Sequence, residues 1–93
     1  MTDNKFDWAM YVVECGDLSF YAGITTNVHR RLHEHNNTKK AAKYTRSRRP
    51  VRLIYYEMHN SRSSASKAES AFKRLTRADK KKYLCREGKD ENR

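Results

Sequence analysis

Two short runs of β-branched and aromatic residues, 10–15 (Met-Tyr-Val-Val-Glu-Cys) and 19–24 (Ser-Phe-Tyr-Ala-Gly-Ile), flank Gly16 and Asp17. Such a pair around a turn-forming dipeptide specifies a β-hairpin. The residues that follow change period. Thr25, Thr26 and Asn27 are all suitable helix N-caps. Val28, Arg31, Leu32 and His35 then recur at i, i+3, i+4 and i+7, which marks one face of a helix. Residues 36–50 show no periodicity and read as a loop with at most a short turn of helix. Residues 51–58 form a third strand in which Val51, Leu53 and Tyr55 alternate with Arg52, Ile54 and Tyr56. Both sets are mostly apolar, so both faces of that strand are expected to be covered. Asn60, Ser61 and Ser63 can cap a second helix, whose inner face carries Ala65, Ala68, Phe72 and Leu75. Thr76 and Asp79 have the spacing of a capping box and restart the chain as a third helix through about Cys85. The order β-β-α-β-α-α predicts an α+β domain: a small three-stranded, mainly antiparallel sheet flanked by helices.

With 93 residues, the chain is expected to be one domain spanning 1–93, with its core at about 8–85 and polar, mobile ends at 1–7 and 86–93. Against a modest core stands a large charge: 21 Lys+Arg and 11 Asp+Glu, a formal +10. That surplus raises the local concentration of a polyanion, and nucleic acid is the commonest. A membrane surface is the rival. No apolar run is long enough to span a bilayer, and none has the look of a strongly amphipathic anchor. The polar start, Met1 to Asp7, lacks the apolar core of a signal peptide, so a cytoplasmic or nucleoid-associated protein is expected. Cys15 and Cys85 are far apart and lack the CxxC spacing of a zinc site, so both read as ordinary small residues.

Tyr11 and Tyr21 are equidistant from Gly16, and a hairpin centred there would set them opposite one another. Alone, the pair reads more readily as packing than as chemistry, although two phenols at one edge of a sheet could also position a water. Arg31 lies on the apolar stripe of the first helix, where its stem could lie buried along the boundary or its guanidinium could point into a site; Arg30 and His33 look solvated. Glu69 is the only carboxylate between Glu57 and Asp79 in a basic stretch. Its plain reading is an i, i+4 ion pair with Lys73. Its sharper reading is a hard-oxygen ligand for a divalent cation.

Five segments in order resemble the GIY-YIG nuclease domain, in particular its small stand-alone bacterial members. They are Trp8-Ala-Met-Tyr-Val-Val, the stretch from Tyr21-Ala-Gly-Ile-Thr to His35, Lys43-Tyr-Thr-Arg, Arg48-Arg-Pro-Val-Arg-Leu, and Lys67-Ala-Glu-Ser-Ala-Phe-Lys-Arg-Leu75. The resemblance covers roughly residues 8–85. It implies that Tyr11 and Tyr21 are the tyrosines of the two signature motifs and that Gly23 is the glycine of the second. Arg31 and His35 would be the helix arginine and histidine, and Glu69 the metal-binding glutamate. The first motif here reads Ala9-Met10-Tyr11 and the second Tyr21-Ala22-Gly23; the replaced positions are strand-packing ones. An asparagine that larger members carry further on is not identifiable. The implied chemistry is hydrolysis of a phosphodiester by in-line attack of water, with one Mg²⁺ or Mn²⁺ ion on Glu69 and Tyr11 as general base or water positioner. A free phenol has a pKa of about 10, so Tyr11 would need Arg31 and Tyr21 to favour its phenolate. Arg31 would also offset charge on the phosphate. His35 would orient a phosphate or assist Tyr11.

Lys39, Lys40, Lys43, Arg46, Arg48, Arg49 and Arg52 fall together with no acid between Glu34 and Glu57, and Tyr44 sits among them. Basic residues interleaved with an aromatic suit a phosphate track with one stacking platform. The plain alternative is a solvated flexible loop. A second cluster, Lys73, Arg74, Arg77, Lys80, Lys81 and Lys82, reads as the solvated face of the last two helices. No recognition helix or zinc finger is evident. Little sequence specificity is therefore expected, with DNA preferred over RNA and single-stranded or branched DNA over plain duplex. Structure, strandedness or a protein partner would choose the site, and nothing in the pattern fixes an oligomeric state. Two rivals remain at this stage: a non-catalytic nucleic-acid-binding module on the same fold, and a basic assembly protein such as a ribosome-associated factor.

Overall fold

The computed structural model describes residues 7–85. Of the polar ends expected to be mobile, 1–7 and 86–93, all but Asp7 lie outside the described residues. The element order is β1 (Trp8–Glu14), β2 (Phe20–Thr25), α1 (Val28–Asn37), α2 (Lys43–Arg46), β3 (Arg52–His59), α3 (Arg62–Lys73) and α4 (Arg77–Leu84). The α+β architecture is the one the sequence predicts, with α2 as the short helical turn inside the basic segment. The sheet is antiparallel throughout, in the order β2-β1-β3.

β1 is central, and its five residues from Ala9 to Val13 are all buried. Alternation along it separates two apolar layers. Met10 and Val12 join Ala22, Tyr55 and Phe72 on one face, against Ala68 of α3, Leu75 in the link that follows it, and Tyr83 and Leu84 of α4. Tyr11 and Val13 join Cys15 and Val51 on the other, against Leu32 of α1. The third strand is an edge, and its covering is incomplete. Tyr55 is buried, whereas Tyr56 is 37% and Met58 45% exposed. Apolarity on both faces of β3 overstated its burial because α1 does not extend over the outer strand's second face.

The hairpin register also differs from the symmetric expectation. Tyr11 pairs with Gly23, and Tyr21 with Val13. Tyr11 and Tyr21 are therefore diagonal neighbours on one face rather than direct partners. The turn uses three residues, Gly16 to Leu18, which moves its centre to Asp17. Cys15 N donates to Ser19 O at 2.8 Å and Leu18 N to Cys15 O at 2.9 Å. Leu18 takes the left-handed backbone this loop needs, with φ of 70°.

Helix starts follow the sequence. The side chains of Asn27, Ser61 and Thr76 accept from Arg30 N, Ser64 N and Asp79 N. Glu57 ties three elements together. Its Oε1 accepts from the hydroxyls of Tyr55 and Tyr83, each at 2.7 Å, and its Oε2 lies 2.7 Å from His59 Nε2. His59 Nδ1 in turn lies 2.6 Å from Ser64 Oγ. Burial disfavours the Glu57 charge, but those donors outweigh it and hold the carboxyl below its usual range.

Candidate active site

The site lies on the face of the sheet that α1 covers. Tyr11 and His35 are buried there, and Tyr11 Oη is 2.7 Å from His35 Nε2. Gly23 makes this possible. It stands directly across from Tyr11, and a Cβ built on it would meet Tyr11 Oη at 2.6 Å and Cζ at 2.9 Å. The phenol lies over the space that a side chain would fill.

His35 is fully buried, at 0% exposure, and hydrogen-bonded at both ring nitrogens. Nδ1 is 2.8 Å from Thr45 Oγ1. Burial, then the nearby Arg31 charge, push its pKa down from 6.5 to about 4. The imidazole is therefore neutral at physiological pH. The Tyr21 ring packs edge-on against His35, with centroids 5.4 Å apart.

Arg31 is anchored as well as aimed. Its Nη1 donates to Glu34 Oε1 at 2.8 Å and to Lys40 O at 2.9 Å. Burial works against its charge, but hydrogen bonds to Glu34 and Tyr11 outweigh this and raise its pKa. The expectation that Arg31 and Tyr21 favour the Tyr11 phenolate needs correction. Burial first, then the charges of Tyr21 and Glu69, drive the Tyr11 pKa well above that of a free phenol; Arg31 opposes them without prevailing. Tyr11 rests as a neutral phenol.

Glu69 approaches from the other side. The apolar stripe of α3 packs on the Met10 and Val12 face, and Glu69 stands at the margin of that stripe with its side chain 20% exposed. Its Oε2 pairs with Lys73 Nζ at 3.0 Å, as i, i+4 spacing predicts. Lys73 Nζ in turn lies 5.9 Å from the centre of the Tyr21 ring. The pair thus sits beside β2, the edge strand around which the two faces meet, and the Glu69 charge is felt at Tyr11. Among the described residues no group of three or more His, Cys, Asp or Glu could hold a metal ion. A cation here would have one protein carboxylate and would complete its shell with water and substrate oxygens.

The basic segment divides into two kinds of cation. Arg49 Nε donates to His35 O at 2.6 Å, and its Nη2 to the carbonyls of Thr38 and Glu34. It closes the C-terminal end of α1, where carbonyls lack partners. Arg46 donates to Lys39 O and Ala41 O, and Arg48 to Asp17 Oδ2 and Tyr44 O. Gly16 N donates to Arg48 O at 2.7 Å, joining the segment to the hairpin turn. Lys39, Lys40 and Lys43 are exposed. Tyr44 is held between two partners: the Arg48 guanidinium carbon is 3.9 Å from its ring centre, and the Tyr21 ring stacks at 5.9 Å. Neither periodicity nor charge singles out Thr45, a small polar residue in an aperiodic stretch, or Glu34 as the anchor of Arg31.

A cleft of about 360 Å³ opens beside this group, lined by Phe20, Tyr21, Tyr44, Phe72, Lys73 and Lys80, among others. No helix among the described residues is long and apolar enough to cross a membrane.

A family model described as the GIY-YIG catalytic domain matches residues 7–83. A UPF0213 protein of Streptococcus agalactiae is 53% identical over 75 residues, covering 81% of this chain and 84% of that protein. A UPF0213 protein of Desulfotalea psychrophila is 55% identical over 69 residues, which are 74% of this chain but 63% of that protein's length. Two solution NMR structures share the fold. One is of an E. faecalis protein, with TM-score 0.58 and 49% identity over 90% of this chain and 88% of that one. The other is of a UPF0213 protein from Bacillus halodurans, with TM-score 0.55 and 39% identity over 83% and 81%.

Proposed function

The chain belongs to the GIY-YIG catalytic domain family, a nuclease family, and from that membership together with the site geometry we propose that it is a metal-dependent endonuclease. It hydrolyses phosphodiester bonds in DNA, single-stranded or branched rather than plain duplex, with little sequence specificity. The observation that carries this reading is the buried 2.7 Å contact between Tyr11 and a neutral His35, beside an anchored Arg31.

Burial raises the Tyr11 pKa above that of a free phenol, which favours a neutral phenol that relays a proton over a resting phenolate. The attacking water gives its proton to Tyr11 Oη as Tyr11 gives its own to His35 Nε2. Tyr11 stays neutral throughout, and the imidazole takes the charge. Arg31 has further guanidinium hydrogens besides those in the two Nη1 bonds and the bond to Tyr11. They suit a phosphate oxygen as charge builds on it. Tyr21 walls the imidazole and keeps bulk water from it.

The donor set near Glu69 fits one hard cation such as Mg²⁺ or Mn²⁺, which accepts a single protein carboxylate with water and phosphate. Glu69 would hold it once Lys73 yields. Such an ion supplies polarisation of the phosphate and offsets charge on the leaving oxygen. Exposed Lys39, Lys40 and Lys43 would gather the backbone around this centre.

The test is incubation with labelled single-stranded, branched and duplex DNA and with RNA, each with Mg²⁺, with Mn²⁺ and with chelator. Metal-dependent cleavage by the wild type, lost in a folded Glu69→Gln variant that still binds, is the expected result. Chelator-resistant cleavage would remove the metal. Tight binding with no cleavage of any substrate would make the chain a binding module.

A further inference from the structure

We propose that Thr45 is a positioning residue that dictates which ring nitrogen of His35 carries the proton, and thereby makes Tyr11 the donor and His35 Nε2 the acceptor. For its effect on rate, this rests on the nuclease reading above; for its effect on the imidazole, it stands on the hydrogen bonds alone.

The directions follow one from another. Thr45 is fully buried, at 0% exposure. Its hydroxyl donates to the carbonyl of Ala42 at 3.0 Å, which also accepts from Thr45 N and Arg46 N at the start of the short α2. A hydroxyl has one hydrogen, so towards His35 Nδ1, 2.8 Å away, Thr45 Oγ1 has only a lone pair to offer. Nδ1 must therefore carry the hydrogen of this contact. A neutral imidazole has one such hydrogen, so Nε2 is bare. Tyr11 Oη, 2.7 Å from Nε2, must then donate. A backbone carbonyl thus sets the direction of every bond up to the phenol.

This orientation is the one a proton relay needs. With the opposite tautomer, Nε2 would carry a hydrogen towards Tyr11, and the phenol would have no acceptor for its own proton. When Tyr11 passes its proton to Nε2, the imidazolium keeps Nδ1–H on Thr45, which accepts in both states. Nothing at Thr45 has to rotate during the step. Valine would keep the shape of threonine and remove the lone pair, whereas serine would keep the lone pair.

The tautomer of His35 can be read directly from its ring ¹⁵N chemical shifts at neutral pH. Protonated Nδ1 and bare Nε2 are expected in the wild type and in Thr45→Ser. Thr45→Val should show a mixed or reversed tautomer, and a kcat lowered about ten- to a hundredfold with KM little changed, the usual scale for the partner that orients a functional histidine. Thr45→Ser should recover most of the rate. A wild type with its proton on Nε2 overturns the proposal outright. So does a Thr45→Val protein with wild-type tautomer and rate. Should Thr45→Val fail to fold, the wild-type spectrum and Thr45→Ser still decide. Should the wild type cut no nucleic acid, the nuclease reading falls while the tautomer result stands separately.

Discussion

Gly23 lies directly across the hairpin from Tyr11, close enough that a methyl group on it would overlap the phenol oxygen. The glycine of the second motif is thus required by the tyrosine of the first, for space rather than for a turn. Gly23→Ala should push the Tyr11 ring off His35. A stability loss of about 1–3 kcal/mol is expected from overpacking, with a fall in rate of roughly a hundredfold from misplacement. Thermal unfolding and single-turnover cleavage measure the two. Wild-type cleavage by Gly23→Ala would show that the phenol has room to shift without consequence.

The neutrality of His35 predicts an acid limit. Its pKa in the folded chain, about 4, is below its ordinary 6.5. The unfolded chain therefore binds more protons between those values, and stability should rise with pH across that window and be flat, as far as His35 is concerned, above it. Cleavage should fall over the lower part of the same window as Nε2 becomes protonated. Urea unfolding from pH 4 to 7, compared with His35→Gln, isolates the contribution. An equal slope in both proteins would assign it elsewhere.

The basic segment should separate by mutation. Neutralising Lys39, Lys40 and Lys43 together should lower the salt dependence of binding by about two to three log units per log unit of salt, with little change in stability. Arg49→Ala should instead cost roughly 1–2 kcal/mol of stability, because it takes the Nε donor from the carbonyl of His35 and one donor each from those of Glu34 and Thr38. Titrations at several salt concentrations and thermal melts distinguish the two classes. A full loss of salt dependence from Arg49→Ala alone would reverse the assignment.

Glu57 should be a stability residue with no part in cleavage. Glu57→Gln weakens the charge-assisted bonds from Tyr55, Tyr83 and His59 and should cost about 1.5–3 kcal/mol. Since its folded pKa is depressed, its contribution is full above the ordinary 4.5 and is lost as pH falls through the folded value. Denaturant midpoints at neutral and acid pH test this. A variant less active but equally stable would place Glu57 in the chemistry.

Much of this was legible in the residues. Period 2 around Gly16 and Asp17 and period 3.6 from Val28 onward located the hairpin and helices; the cap candidates included Asn27 and Ser61 among three each, and Thr76 marked the last helix start. The register was not legible, because a left-handed leucine at 18 is invisible to a rule that looks for glycine in turns. The resemblance to the GIY-YIG domain grouped Tyr11, Tyr21, Arg31 and His35; residue spacing alone put only Arg31 and His35 on one helix face and the two tyrosines on one hairpin. The work of the arginines was hidden for a different reason: composition counts Arg46, Arg48 and Arg49 as free cations, and only backbone geometry shows that each answers a carbonyl. Thr45 carries no periodic or charge signal at all; its importance comes from a buried neighbour ten positions away.

Tyr44 carries the guanidinium of Arg48 3.9 Å from its ring centre and stacks with the ring of Tyr21. A flat cation thus already occupies the Tyr44 ring, and the bonds to Asp17 Oδ2 and Tyr44 O hold it there. On the proposed nuclease reading, a nucleobase would have to compete with that cation for the ring, at a discount of about 0.5–1 kcal/mol for the cation–π contact alone. Arg48 would then be released only by giving up its carboxylate and carbonyl partners as well, so the segment is preset rather than shaped by whatever binds.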